Sequence, residues 1–180
     1  MENTAKILIH TCCGICSGHS IQELKDMGFE PVAYFYNPNI DTEDEYNRRL
    51  EAQKTVCKYH NIKLVAEEYH PEEYLEVVQG LENEPEGGKR CTECFKLRLE
   101  QSAKKSEELQ ILSFTTSMPI SPHKNFKLIS SIGEKIADRI NDLKYYAIDF
   151  KKKDGFLKTN KLSKDLGLYR QNYCGCRFAK

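Results

Sequence analysis

KILIHTCCGICSGHS, residues 6–20, reads as a strand, a turn and a helix in immediate succession. The apolar run Lys6–His10 has the pattern of a buried strand. Cys12 and Cys13 lie on a turn with Gly14. From 17 to 27 the spacing predicts a helix, closed at Gly28 where a C-cap glycine is favoured. The rest of the chain repeats this unit. PVAYFYN at 31–37 is a second strand, stopped by Asn37-Pro38-Asn39. Thr42 and Glu45 have capping-box spacing. The helix they open runs to about His60, with Tyr46, Leu50 and Cys57 on one stripe. Residues 62–66 form a third strand and 71–80 a short helix. Residues 80–90 contain one Pro and three Gly and read as a mobile loop. A helix follows at 91–105 and a strand at 110–115. Ser121 or Pro122 then opens a helix with Phe126, Ile129, Gly133, Ile136, Ala137 and Ile140 on one face. A fifth strand at 145–148 and a short helix at 161–167 lead into the terminal YRQNYCGCRFAK.

Alternating strands and helices predict an α/β fold: a doubly wound, mainly parallel five-stranded sheet with helices on both faces and right-handed crossovers. In such sheets ligands bind at the carboxyl ends of the strands. Thr11, Cys12 and Cys13 stand at that end of the first strand, residues 37–41 at the second and 115–117 at the fourth. The helix feeding the fourth strand must start at the same edge, and it starts with Cys91 and Cys94. The topology therefore gathers two cysteine pairs whose nearest members, Cys13 and Cys91, are 78 residues apart.

With 180 residues the chain is one domain, able to bury roughly 70% of its unfolded surface. Its mean hydropathy is −0.63, and no apolar run approaches the ~18 residues of a membrane span. Membrane proteins and collagen-like fibres are excluded, and the first residues lack the apolar core of a signal peptide. A cytoplasmic protein is expected. In a reducing compartment, eight cysteines argue for metal or redox work rather than structural disulfides. The net charge is zero but unevenly spread. Residues 1–150 carry 18 basic and 25 acidic side chains, and residues 151–180 carry 9 and 2. The basic segment is either a solvated tail or a surface for an anionic partner such as nucleic acid.

Cys91-Thr-Glu-Cys94 at a helix start favours thiolate, the metal-binding form. Four converging thiolates suit structural zinc or an iron–sulfur cluster. The long gap and the adjacent first pair favour a cluster, because zinc ribbons separate their pairs by ~15–20 residues. Cys16 reads either as a further ligand or as packing under the turn, and Cys57 as a core residue. His10 reads as a hydrogen-bonded core histidine. His60 and His70 are expected to face solvent, and His19 lies one turn too far into its helix to reach the cysteines. A Cys174-Gly-Cys176 disulfide would close a tight, easily reduced ring. The pair reads as a redox couple, with a further ligand pair or two plain thiols as the alternative.

CCGICS at 12–17, YNPNI at 36–40, EYNRR at 45–49, RCTECFKLRL at 90–99, TTSMPISPHKN at 115–125, GEKIA at 133–137 and LYRQNYCGC at 168–176 together resemble the QueH-type epoxyqueuosine reductases. The resemblance spans nearly the whole chain, in order. It implies a Rossmann-like fold similar to that of the PP-loop enzymes. It also implies cobalamin-independent reduction of epoxyqueuosine to queuosine at the tRNA wobble position, the last step of queuosine synthesis. It further implies a [4Fe-4S] cluster on Cys12, Cys13, Cys91 and Cys94, a redox-active disulfide at Cys174 and Cys176, and an adjacent mononuclear iron. Cys16 and Asp41 are candidates for that second metal or for an acid. Where the family continues YNPNI with His-Pro, this chain has Asp41-Thr42, which keeps a ligand or acid at position 41. SMPI at 117–120 is less aliphatic than its family counterpart. On this reading 1–150 is an α/β iron–sulfur catalytic domain, and 151–180 a basic segment packed on it.

The partners implied are tRNA carrying epoxyqueuosine and an electron donor that the sequence does not identify. Tyr169, Arg170, Tyr173 and Arg177, with the lysines at 151–153, are candidates for the tRNA surface, since RNA readers stack bases on aromatics and Arg. Packing of the tail by its tyrosines is the alternative. Two other functions are weighed. A PP-loop ATP-dependent tRNA-modifying enzyme would need a phosphate-cradling loop where CCGICS places three thiols. A zinc-stabilised tRNA-binding module would leave Cys174-Gly-Cys176 without a role.

Overall fold

The computed structural model describes residues 4–179. Its centre is β1 (Lys6–His10), flanked by β2 (Glu30–Phe35) and β4 (Ser113–Thr116). β3 (Leu64–Ala66) lies outside β2, and β5 (Lys144–Tyr145) outside β4. All four pairings are parallel. Ile7, Leu8 and Ile9 are each 0% exposed, so β1 is covered on both faces, as a parallel sheet requires. Ile7 and Ile9 join Ile21, Leu24 and Val56 from α1 (Gly14–Asp26) and α2 (Glu43–His60). Leu8 points the other way, to Phe95, Leu99, Ile129 and Ile136 from α4 (Lys89–Glu108) and α5 (Phe126–Ala137). The short α3 (Pro71–Val77) packs on α4, and α6 (Gly155–Asp165) on α1. The expected doubly wound sheet is therefore present. Its direction of winding switches between β1 and β4, where a ligand crevice is expected.

Several boundaries differ from the sequence reading, and the differences shape the site. α1 begins at Gly14 rather than 17, because the Cys13 sulfur caps it by accepting from the Cys16 amide at 3.4 Å. α4 begins at Lys89, inside the segment read as a mobile loop. That segment is ordered by the buried Arg90, which donates to the carbonyls of Leu81, Glu82 and Glu84. α5 begins at Phe126, capped by Asn125, which accepts from Leu128 N at 3.1 Å. A 3-10 turn at Met118–Ile120 precedes it, and Ser121 and Pro122 lie between the two. β5 is only two residues long, and Ile148 packs against the Ile7/Ile9 core instead of pairing. α6 starts six residues earlier than expected. Thr42 caps α2 by accepting from Glu45 N, but the Glu45 carboxylate turns to Arg49 and Tyr169 and closes no capping box. His60 is buried beside α1 rather than facing solvent, its carbonyl accepting from Lys25 Nζ at 2.7 Å.

Candidate functional site

The turn after β1 is fixed before any thiol is considered. Thr11 Oγ1 donates to the Tyr34 carbonyl, and Asn37 Nδ2 donates to the Thr11 carbonyl at 2.9 Å. Ser17 Oγ donates to Gln53 Oε1 at 2.7 Å, tying α1 to α2. A Cβ at Gly14 would stand 2.7 Å from the Ala52 carbonyl oxygen, so only glycine permits this approach. The result is that the sulfurs of Cys12, Cys13 and Cys16 lie within 4.8 Å of one another. Hydrogen bonds from the Cys13 and Cys16 thiols, aided by Arg98 and His10, hold the Cys12 thiol well below its usual range. Hydrogen bonding to Cys12, with burial and the Cys12 charge behind it, pushes Cys13 up to about 12 and Cys16 well above its usual range.

His10, beneath this turn, is 0% exposed. Its Nε2 donates to the Tyr36 carbonyl at 2.9 Å, and its Nδ1 accepts from Thr116 Oγ1 at 3.1 Å, the tautomer a carbonyl partner requires. Burial first, then Arg98, brings its pKa down to about 4. A histidine lowered on folding binds its proton more readily in the unfolded chain. Stability should therefore fall as pH drops from 6.5 to 4, by up to about 3 kcal/mol. Urea unfolding across this range checks the sign: His10→Gln should flatten the slope, and an equal slope in both proteins contradicts it.

The second thiol pair stands at the start of α4. Cys91 Sγ accepts from the Gly87 amide at 3.2 Å. Cys94 is buried against Tyr74, Val78 and Cys176. Burial pushes its pKa up, against the pull of Arg98 and Lys124.

The third group comes from the tail. Arg49 is 2% exposed; its Nε donates to Glu45 Oε1 at 2.7 Å, and its Nη atoms donate to the carbonyls of Cys174 and Tyr173. Gly175, with φ +104, lets the chain turn directly against this guanidinium. Tyr169 OH donates to the other Glu45 oxygen at 2.7 Å. The Cys176 thiol hydrogen-bonds Cys174, and that bond lowers Cys174 to about 5 while Cys176 is pushed far up. Tyr74 OH lies 2.9 Å from Cys176 Sγ. All eight thiols are free. The clamp yields a prediction. Arg49→Leu leaves Glu45 buried without its partner and should cost roughly 3 kcal/mol. Trypsin should then cut at Arg170 and Arg177 well before the core. A variant as resistant as the unaltered protein contradicts the clamp.

Cys12, Cys16, Cys91, Cys94, Cys174 and Cys176 all line one cavity of about 410 Å³, within the range of ligand sites. Cys13 stands behind them, in contact with Cys12 and Cys16. Arg170 and Tyr173 also line it. Tyr169, Arg177 and Asp41 are not among the lining residues; Asp41 Oδ1 accepts from Arg177 Nε at 2.9 Å. Cys57 is buried in α2 and accepts from Gln53 Nε2, as a core thiol should. His19 lies beside Glu23, away from the cavity lining. The sequence reading did not single out Arg98, Tyr74, Arg49 or Arg90, all of which line the cavity. The available signals were helical spacing, Glu45 to Arg49 and Cys94 to Arg98, and the place of Arg49, Arg90 and Arg98 inside EYNRR and RCTECFKLRL.

A family profile described as epoxyqueuosine reductase QueH matches residues 7–180. The chain is 37% identical over 179 residues to a Streptococcus pyogenes protein of that name, covering 96% of this chain and 69% of that one. It is 35% identical over 178 residues to the Acinetobacter baylyi protein of that name, covering 99% and 82%. With the Thermotoga maritima protein it shares 35% identity over 176 residues, covering 96% and 89%. Among solved structures, the U34-tRNA thiolase NcsA from Methanococcus maripaludis, with its [4Fe-4S] cluster, aligns with a TM-score of 0.62 at 13% identity. That alignment covers 99% of this chain and 62% of the thiolase, and it is a likeness of fold.

Proposed function

This chain belongs to the epoxyqueuosine reductase QueH family, and from that premise we propose that it reduces epoxyqueuosine in tRNA at the thiol-lined cavity between β1 and β4. It is an oxidoreductase. Opening the epoxide to an alkene breaks two C–O bonds, consumes two electrons and two protons, and releases the oxygen as water. The observation that carries the reading is the convergence of three cysteine groups, from the β1 turn, the α4 start and the tail, on one cavity.

The donor set fits an iron–sulfur group. It offers several thiols, backbone N–H groups aimed at Cys13 and Cys91, and guanidinium charge beside them. Cys12, Cys13, Cys91 and Cys94 would hold a [4Fe-4S] cluster, which supplies electrons one at a time. Cys16 is then the thiol left over for an adjacent iron. Asp41, already engaged by Arg177, is a weaker partner for it than the sequence implied. Cys174 and Cys176 form the two-electron couple, and Tyr74 holds a hydroxyl proton against Cys176 Sγ. The reading of Cys13 as a helix cap also weighs against a phosphate-cradling loop, since its sulfur occupies the amide of Cys16.

For the tRNA surface, Arg170 and Tyr173, which line the cavity, are preferred to Tyr169 and Arg177, which do not. The domain reading follows: 1–150 carries the cluster, and 151–180 brings the dithiol to it. Electrons reach the site from a donor outside the chain. No helix is long and apolar enough to cross a membrane among the described residues. The experiment is anaerobic incubation with dithionite and tRNA bearing epoxyqueuosine, followed by digestion and mass analysis of the nucleosides. A product lighter by one oxygen atom is expected; unchanged epoxyqueuosine with iron-loaded protein overturns the proposal.

A further inference from the structure

Arg98 lies one helical turn beyond Cys94 on α4, in the wall of the cavity, and is 4% exposed. The hydrogen bond from its Nε to the Cys94 carbonyl is long, at 3.4 Å. None of the ion pairs among the described residues involves Arg98. The other buried guanidinium groups of the cavity are spoken for. Arg49 is paired with Glu45 at 2.7 Å, and Arg90 is spent on three carbonyls. Arg98 shares the ring of Phe95 with Lys124, at 5.8 and 5.6 Å from its centroid.

A buried cation without an anion costs several kcal/mol, so the fold must supply negative charge within reach. The groups whose charge favours the guanidinium are Cys94, Cys12 and Cys174. They represent all three cysteine groups, and the acidic side chain that lines the same cavity, Glu86, is exposed. This arrangement suits a group whose charge changes during turnover. A fixed carboxylate would cancel the guanidinium permanently, whereas sulfur-bound charge grows on reduction.

We propose that Arg98 is the counter-charge of the metal–thiolate group, a positioning residue that stabilises its reduced, more negative state and thereby raises its reduction potential. The inference rests on the cluster reading above. Net charge beside a cluster is one of the levers on its potential. Removing the charge destabilises the reduced form more than the oxidised one, so the potential must fall.

The test is an anaerobic redox titration of the iron-loaded protein, followed by visible and electron paramagnetic resonance spectra. Three variants are compared: Arg98→Gln, Arg98→Met and Arg98→Lys. The two neutral variants should favour the oxidised form at least tenfold more than the unaltered protein, about 59 mV for one electron. Arg98→Lys should restore most of the difference. Unchanged potentials in the neutral variants overturn the proposal, as does an equal shift in Arg98→Lys. If the neutral variants lose iron while Arg98→Lys keeps it, charge is required and the proposal stands. If all three lose iron, shape rather than charge matters and the proposal falls. Absence of iron and sulfide from the unaltered chain is a different failure, that of the cluster reading itself.

Discussion

Cys94→Ser and Cys91→Ser should each lower epoxyqueuosine reduction by well over 100-fold and strip the protein of its visible chromophore. Loss of an outer partner of a metal ligand already costs 10–100-fold, and loss of a ligand should cost more. The same is expected of Cys12→Ser and Cys13→Ser. The geometry makes this prediction discriminating, because the tightest thiol group is Cys12, Cys13 and Cys16, whereas the cluster assignment pairs Cys12 and Cys13 with Cys91 and Cys94. Iron and sulfide analysis of the variants separates the two. Cys16→Ser should keep four irons per chain and lose only iron in excess of sulfide. Should Cys16→Ser lose the chromophore while Cys91→Ser retains it, the triad is the binding set and the four-cysteine assignment is wrong. Cys57→Ser is the control for a buried thiol, and it should keep the iron.

Replacing Cys176 by alanine should abolish steady-state turnover, again by more than about 100-fold, while leaving iron and sulfide unchanged. The tail is anchored through backbone carbonyls of Tyr173 and Cys174, so the substitution removes a thiol without removing the anchor. A second readout tests the coupling within the pair. Cys174 is lowered to about 5 chiefly because the Cys176 thiol hydrogen-bonds it. At pH 6.5 it is therefore almost entirely thiolate and should react quickly with iodoacetamide. Without its partner it returns toward ~8.5, where only about 1% is ionised at that pH. Alkylation at pH 6.5 should slow by at least tenfold in Cys176→Ala. Full turnover of Cys176→Ala with chemical reductant would remove the dithiol from the catalytic step.

The sheet was legible because β1 is bounded so sharply. An apolar pentapeptide stops at Thr11, and the glycine after two cysteines permits the turn. The meeting of the β1 turn with the α4 start was legible too, since in a parallel sheet every crossover helix begins at the same edge. Helix starts were less so. Ser121 and Pro122 have the chemistry of a helix start, but Asn125 caps α5. Glu45 has the spacing of a capping box, but a buried guanidinium four residues on outbids the helix amide for its carboxylate. The polar framework of the site was the least legible part. Arg98 follows Cys94 by four residues, which is also the spacing of any solvated basic face, and only burial shows that it points inward. Tyr74 looks like an ordinary aromatic in an acidic helix until the tail, a hundred residues later, lays Cys176 beside it. Asp41 offered metal-ligand chemistry, but its pairing with Arg177 depends on where the tail docks.

Iron, zinc and acid-labile sulfide analysis of the anaerobically purified protein, with its visible spectrum, tests the central claim most directly: that the converging cysteines hold an iron–sulfur cluster. About four irons and four sulfides per chain, in a brown protein bleached by dithionite, are expected. One zinc, no sulfide and no chromophore, even after reconstitution with iron and sulfide, would contradict it.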